Sequence, residues 1–240
     1  MGMLRSLTMS ELRNLNRDAL LRTMVLLPWL LAPLMAWVIP LFADALADRI
    51  DLRPYYGMLT SFFSLLLMPQ LLGYVIGFML LDERDDGTLT VLQVTPLSLE
   101  RYLLYKLSLP FVVSIGAAYV FVAVVRLIDP PYGPLLPIAL LAALEAPLFA
   151  LMLASLAGNK VQGLAVMKGL GFFGLAAIAA YFTPIPWQWF WGISPTYWPV
   201  RAFWAALAGE AWAPYVVGGL VVHLLYLWAM WRRFRLILSR

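Results

Sequence analysis

The sequence predicts an all-α membrane protein with six transmembrane helices, and three observations carry that prediction. Of its 240 residues, 63% are hydrophobic and 12% charged, so the charged surface that a soluble domain shows to water is missing. Six apolar runs cover 24–43, 56–81, 107–125, 135–157, 161–182 and 213–231. Most approach the roughly 20 residues a helix needs to cross a hydrocarbon core about 30 Å thick. The runs are continuously apolar, whereas the strands of a membrane barrel alternate between apolar and polar residues.

Taken in order, residues 1–23 precede the first run and form an expected interfacial helix. Leu12, Leu15 and Ala19 fall on one side of a helical turn, with Arg13, Asn14, Asn16, Arg17 and Asp18 elsewhere and Ser10 placed to cap. Such a helix lies on the membrane surface with its arginines among lipid phosphates. Charge is spread through these residues and no small-residue cleavage site follows the first run, so a retained first span is expected. That span carries Pro28, Pro33 and Pro40, each of which removes a backbone donor and favours a bend. In the second, Gly73 and Gly77 have the small-xxx-small spacing that lets another backbone come close, inside one subunit or between two.

Segment 183–212, between the fifth and sixth runs, is broken by Pro184, Pro186, Pro195 and Pro199. It is too interrupted to span and rich in tryptophan, so short helices dipping into the outer leaflet are expected there, with the indoles as an interfacial belt. No internal repeat stands out, and 1–240 is read as one transmembrane domain.

Thirteen of the 17 basic residues flank the runs on one side, against Arg49, Arg53, Arg126 and Arg201 on the other. Both termini are therefore expected in the cytoplasm of a multi-pass protein of the inner or plasma membrane. The net charge of +4 is read as topology and contact with anionic lipid, with no nucleic-acid partner. With no Cys and His223 as the one His, thiolate and multi-histidine metal sites are excluded.

Residues 82–106 form the longest inside loop. It opens on Asp82, Glu83, Arg84, Asp85 and Asp86, turns at Gly87, and continues as a short apolar and Thr-rich piece that Pro96 ends. A helix over 88–95 is about 12 Å long, too short to span. At about 100° per residue its Leu89, Val91, Leu92 and Val94 spread around the axis. Apolar on more than one side, it is expected to lie between the membrane domain and a second protein. Ser98 can cap a further helix, with Glu100 in its first turn, that continues into the third span.

At these residues the chain resembles the ABC-2 type permeases, the membrane subunits of ATP-driven transporters. The likeness is carried by Glu83, Gly87, Thr88, Leu89, Leu92, Pro96, Ser98 and Lys106, by "NRDALL" before the first span and by "SPTYW" before the last. The stretch "LEAPLFALMLASLAGNKVQGLAVMK" also resembles fluoroquinolone export permeases. The resemblance implies that Glu83, Gly87, Thr88, Leu89, Leu92 and Pro96 belong to a coupling helix seated on an ATPase subunit. It further implies two ATPase copies, a second permease subunit, identical or related, and export. "GNKVQG" and "VMKGLG" both lack the spacing of a phosphate-binding loop. ATP and Mg²⁺ are thus expected on the partner ATPase, with no cofactor and no catalysis on this chain.

Two other readings use the same residues. A membrane enzyme could hold Mg²⁺ on the acidic cluster to transfer a prenyl or lipid group, though the remaining inside acids, Glu11, Asp18 and Glu100, are scattered. A non-transporting signalling or assembly module would bind the ATPase and move nothing. For a transporter, the scarcity of polar residues in the spans favours an amphipathic or lipid-like cargo such as a drug, peptide or lipid-linked molecule. Within the spans, Glu145 and Lys168 reach similar depths; an unpaired charge at mid-membrane costs at least about 2.5 kcal/mol, so either an ion pair between them or a protonated Glu145 is expected, the ion pair first. Glu145 lining the cargo path is the alternative.

Overall fold

Leu144 divides the fourth transmembrane helix in two, and the cause is local. Pro147 has no N–H for the Ala143 carbonyl, so one helix ends at Ala143 and the next begins at Glu145. The computed structural model of the chain describes residues 19–89 and 99–238. Among them six helices are long and apolar enough to cross a membrane, as the sequence predicts. We number the helices α1 (Ala19–Leu46), α2 (Arg53–Asp85), α3 (Leu99–Val125), α4 (Tyr132–Leu156), α5 (Lys160–Tyr181), α6 (Tyr197–Leu207) and α7 (Ala213–Leu238). All but α6 are spans. The expected interfacial helix lies outside the described residues as far as 18; residues 19–23 belong to α1, which runs through Pro28, Pro33 and Pro40 as one helix.

α2 and α4 form the centre, and glycine explains how closely they approach. A Cβ on Gly73 would stand 2.5 Å from the Ala146 carbonyl oxygen, and one on Gly77 would stand 2.9 Å from Leu153 Cβ. The small-xxx-small pair thus serves packing within the subunit. α2 also holds a π-helical segment, Phe62–Leu67. Pro69 follows it and cannot donate to the Leu65 carbonyl, while the Ser64 hydroxyl donates to the Thr60 carbonyl at 2.7 Å, so the usual ladder gives way to a wider turn.

Segment 183–212 departs from a purely interfacial belt. Ile185–Gln188 and a 3₁₀ turn, Trp189–Ile193, lead into α6, which buries Tyr197, Val200, Ala202, Phe203 and Ala205 in the core. Trp187 and Trp189 are exposed, but three other indoles are tied inward. Trp191 donates to Thr183 Oγ1 at 3.0 Å, Trp198 to the Gly192 carbonyl at 2.9 Å and Trp204 to Ser61 Oγ at 2.8 Å. Trp198 also lies across Gly218 and Gly219 of α7, where any Cβ would collide with it. Beside it Arg201, buried, meets Glu210 at 3.2 Å and covers the Tyr215 ring. Burial, with Tyr215 adding to it, pushes the Tyr197 phenol up to about 12.

Candidate functional site: the loop-side hub

The last turn of α2 carries Asp82, Glu83 and Arg84 in succession. Successive residues on a helix point about 100° apart, so three neighbours in sequence face three neighbours in space. Asp82 accepts from Lys160 at the start of α5 at 2.8 Å. Glu83 turns to α3, where Lys106 Nζ and the Tyr102 hydroxyl, the latter at 2.7 Å, both bond to its Oε1. Arg84 reaches α4, donating to the Ala154 and Ala157 carbonyls at 2.9 and 2.8 Å. Those carbonyls end a helix and lack intrahelical partners, which the guanidinium supplies along with favourable charge for the helix dipole. One helical turn thereby joins α2 to α3, α4 and α5.

Burial makes the Glu83 contact strong. Lys106 is 6% exposed, and the second oxygen of Glu83 is buried without a hydrogen-bond partner. Two further links close the ring: Arg233 of α7 donates to the Ser155 carbonyl at 3.1 Å, and Arg235 pairs with Glu100 of α3 at 3.1 Å. Asn159 starts α5 by accepting from the Gln162 backbone N–H at 3.0 Å.

Gly87 follows the hub at φ +71°: the turn expected there is left-handed, a conformation that a side chain disfavours. Thr88 and Leu89 begin a helical turn; Leu92, Pro96 and the rest of 90–98 lie outside the described residues. Leu89 is fully buried against its own chain, in a cluster with Leu80, Leu103 and Phe234. It therefore forms the side of the loop that faces the membrane domain.

The expected ion pair between Glu145 and Lys168 is absent. Glu145 sits at the break in α4, fully buried, and the contact to its Oε2 comes from Gln70 Nε2 of α2 at 3.4 Å. Its other oxygen and the nearby Tyr74 hydroxyl have no hydrogen-bond partner. Lys168 points away, exposed on a stripe of α5 with Val161, Leu164, Phe172 and Leu175. Depth along two helices was a poor guide because it says nothing of direction: α4 turns Glu145 inward while α5 turns Lys168 outward. His223 is buried and its Nδ1 lies 2.8 Å from the Gly219 carbonyl.

Sequence reasoning missed the division of labour within the acidic turn. One signal was available. In a chain with so few charges, acids and bases ending neighbouring helices at the same membrane level have few other partners, and Asp82 with Lys160 and Glu83 with Lys106 meet that description. The structure turns these acids apart, and among the described residues no group of three His, Cys, Asp or Glu could hold a metal ion.

A six-span helical protein whose spans are cross-linked beneath a short loop has the build of a membrane transport subunit. Comparison with known proteins agrees. The family described as "Fluoroquinolones export permease protein Rv2686c-like" matches residues 11–231, and the chain belongs to that family. The Fluoroquinolones export permease proteins Rv2686c and MT2760, from Mycobacterium tuberculosis strains ATCC 25618 / H37Rv and CDC 1551 / Oshkosh, are each 35% identical over 231 residues. Each alignment covers 94% of this chain and 91% of the relative. No solved structure matches it significantly.

Proposed function

We propose that the chain is the membrane-spanning subunit of an ATP-driven exporter, worked from the cytoplasm by a separate ATPase that grips the 82–106 loop. Two permease subunits and two ATPase copies make the assembly. The observation that carries this reading is the hub: the turn that opens the loop is bonded to three other spans. A displacement of that turn is passed to all of them. In this reading Glu83 and Gly87 hold the loop's base, Thr88 and Leu89 begin the short helix, and Leu92 and Pro96 lie in its partner-facing part.

The cargo is an amphipathic molecule, and the relatives' names point to a fluoroquinolone-like drug. Such drugs carry a carboxylate on a flat apolar body. The stripe on α5 offers apolar and aromatic surface around Lys168, which suits that chemistry if the path runs along α5 between subunits.

Leu92→Asp tests the motor contact, since Leu89 is spent inside its own subunit. Expected is a folded permease that no longer co-purifies with its ATPase; undiminished co-purification would overturn the reading. In the same vesicles, Lys168→Met should slow export of a carboxylate-bearing quinolone more than of its methyl ester. Equal slowing removes Lys168 from the path.

A further inference from the structure

A groove of about 520 Å³ opens between α3, α4 and α7, walled by Leu104, Phe111, Pro147, Leu224, Trp228 and Trp231. The Ser108 hydroxyl at its edge is spent on its own helix, donating to the Tyr105 carbonyl at 2.7 Å. What remains is apolar surface, and Leu104, Leu224 and Trp228 are each more than half exposed.

Its length along the membrane is informative. The α7 wall runs from Leu224 to Trp231, about 10 Å at 1.5 Å per residue. That is most of one leaflet's half of a core about 30 Å thick. One end lies on the loop side, where α3 begins and α7 ends; the other stops at Leu144 and Pro147, at the break in α4. α7 stays apolar and exposed beyond the groove, at Val221, Leu220 and Val217, but the concavity itself closes at Leu144 and Pro147, too short to seat a spanning helix. An acyl chain needs only one leaflet.

Charge identifies the head of the occupant. Arg232 follows the groove's last wall residue and stacks its guanidinium over Trp228, 4.9 Å from the ring centroid. Its neighbours are committed, Arg233 to Ser155 and Arg235 to Glu100. Arg232 has no protein acceptor among the described residues. A guanidinium held by an indole at the headgroup level is built to receive a phosphate, which it can bond through two N–H groups.

We propose that this groove is a binding site for an anionic phospholipid, one acyl chain lying along α7 and the phosphate on Arg232. The groove's deep end is formed by the residues flanking Glu145. A bound chain therefore braces the bend of α4.

Native mass spectrometry of the full chain tests this with phosphatidylglycerol and phosphatidylcholine of identical acyl chains. The wild type should retain phosphatidylglycerol about fivefold better, the contribution expected of one basic residue at a membrane surface. Arg232→Gln should erase that preference and Arg232→Lys restore it. A photoreactive acyl chain on phosphatidylglycerol should label Leu104, Phe111 or Leu224, and Ser108→Trp, which fills the groove, should abolish the label. Equal retention of both lipids by the wild type, an unchanged preference in Arg232→Gln, or labelling elsewhere would overturn the proposal. The chain has no cysteine, so Leu224→Cys supplies a clean control: an interchain disulfide there would assign the groove to a second copy instead. Arg232 is exposed, so its variants decide the matter even where Ser108→Trp fails to fold.

Discussion

Glu145 is buried in the membrane core with one long contact from Gln70 and one oxygen unpartnered. A group in that position stabilises nothing by itself, because a lone charge there is costly and a half-satisfied polar group is little better. Glu145→Gln keeps the shape and a partner for Gln70 while removing the ionisable group. The expected outcome is an unchanged or raised Tm for the purified chain; a fall of several degrees would show that the acid is needed for the fold. Transport lost with Tm retained would assign the carboxyl a role in the cycle. That a polar residue lay in the fourth span was legible in the sequence, as was a turn at Gly87. Glu145's partner was not, because the partner depends on which way two helices are rotated, and α4 is apolar on every side and so leaves its rotation unmarked.

At the scale of elements, the α2–α4 contact decides whether the hub has anything rigid to act on. Gly73 is the tightest point, facing a backbone oxygen that cannot swing aside. Gly73→Ala should push α4 away and cost about 1–3 kcal/mol, as overpacking does. Gly116→Ala on α3, where nothing lies within 4 Å of the new Cβ, should leave stability unchanged or raise it slightly. Thermal unfolding of both variants in one detergent checks the pair, and equal losses would mean that the close approach is not limiting. The spans themselves were legible because length and apolarity are local properties. The tryptophans around α6 were read from sequence as an aromatic belt, yet α6 packs into the core. Proline signals announce the breaks around it, but nothing local distinguishes a tryptophan that greets lipid from one that, like Trp198, needs two glycines on a distant helix to receive it.

For the whole molecule, the question is whether the hub transmits force or only holds helices together, and the Glu83–Lys106 pair separates the two. Glu83→Gln leaves Lys106 buried without its counter-charge, a change that costs about 3 kcal/mol in comparable buried pairs. It loosens α3 from α2 without touching the loop residues beyond Gly87. In the assembled transporter the expected result is an ATPase still bound and still hydrolysing ATP, with cargo movement per ATP reduced several-fold. Reversing the pair, Glu83→Lys with Lys106→Glu, rebuilds the contact with opposite sign and should recover both stability and coupling, because the bond and not the particular charge links the helices. A merely structural pair would give a different pattern: Glu83→Gln would lower Tm while cargo per ATP stayed constant in the fraction that folds. Asp82 and Lys160 make a second test of the same logic at a weaker site. Both are substantially exposed, so solvent screening leaves their pair worth about 1 kcal/mol or less. Asp82→Asn should therefore leave Tm nearly unchanged. If the turn transmits motion through all three of its contacts, even this variant lowers cargo per ATP, and full coupling in Asp82→Asn would confine transmission to α3 and α4.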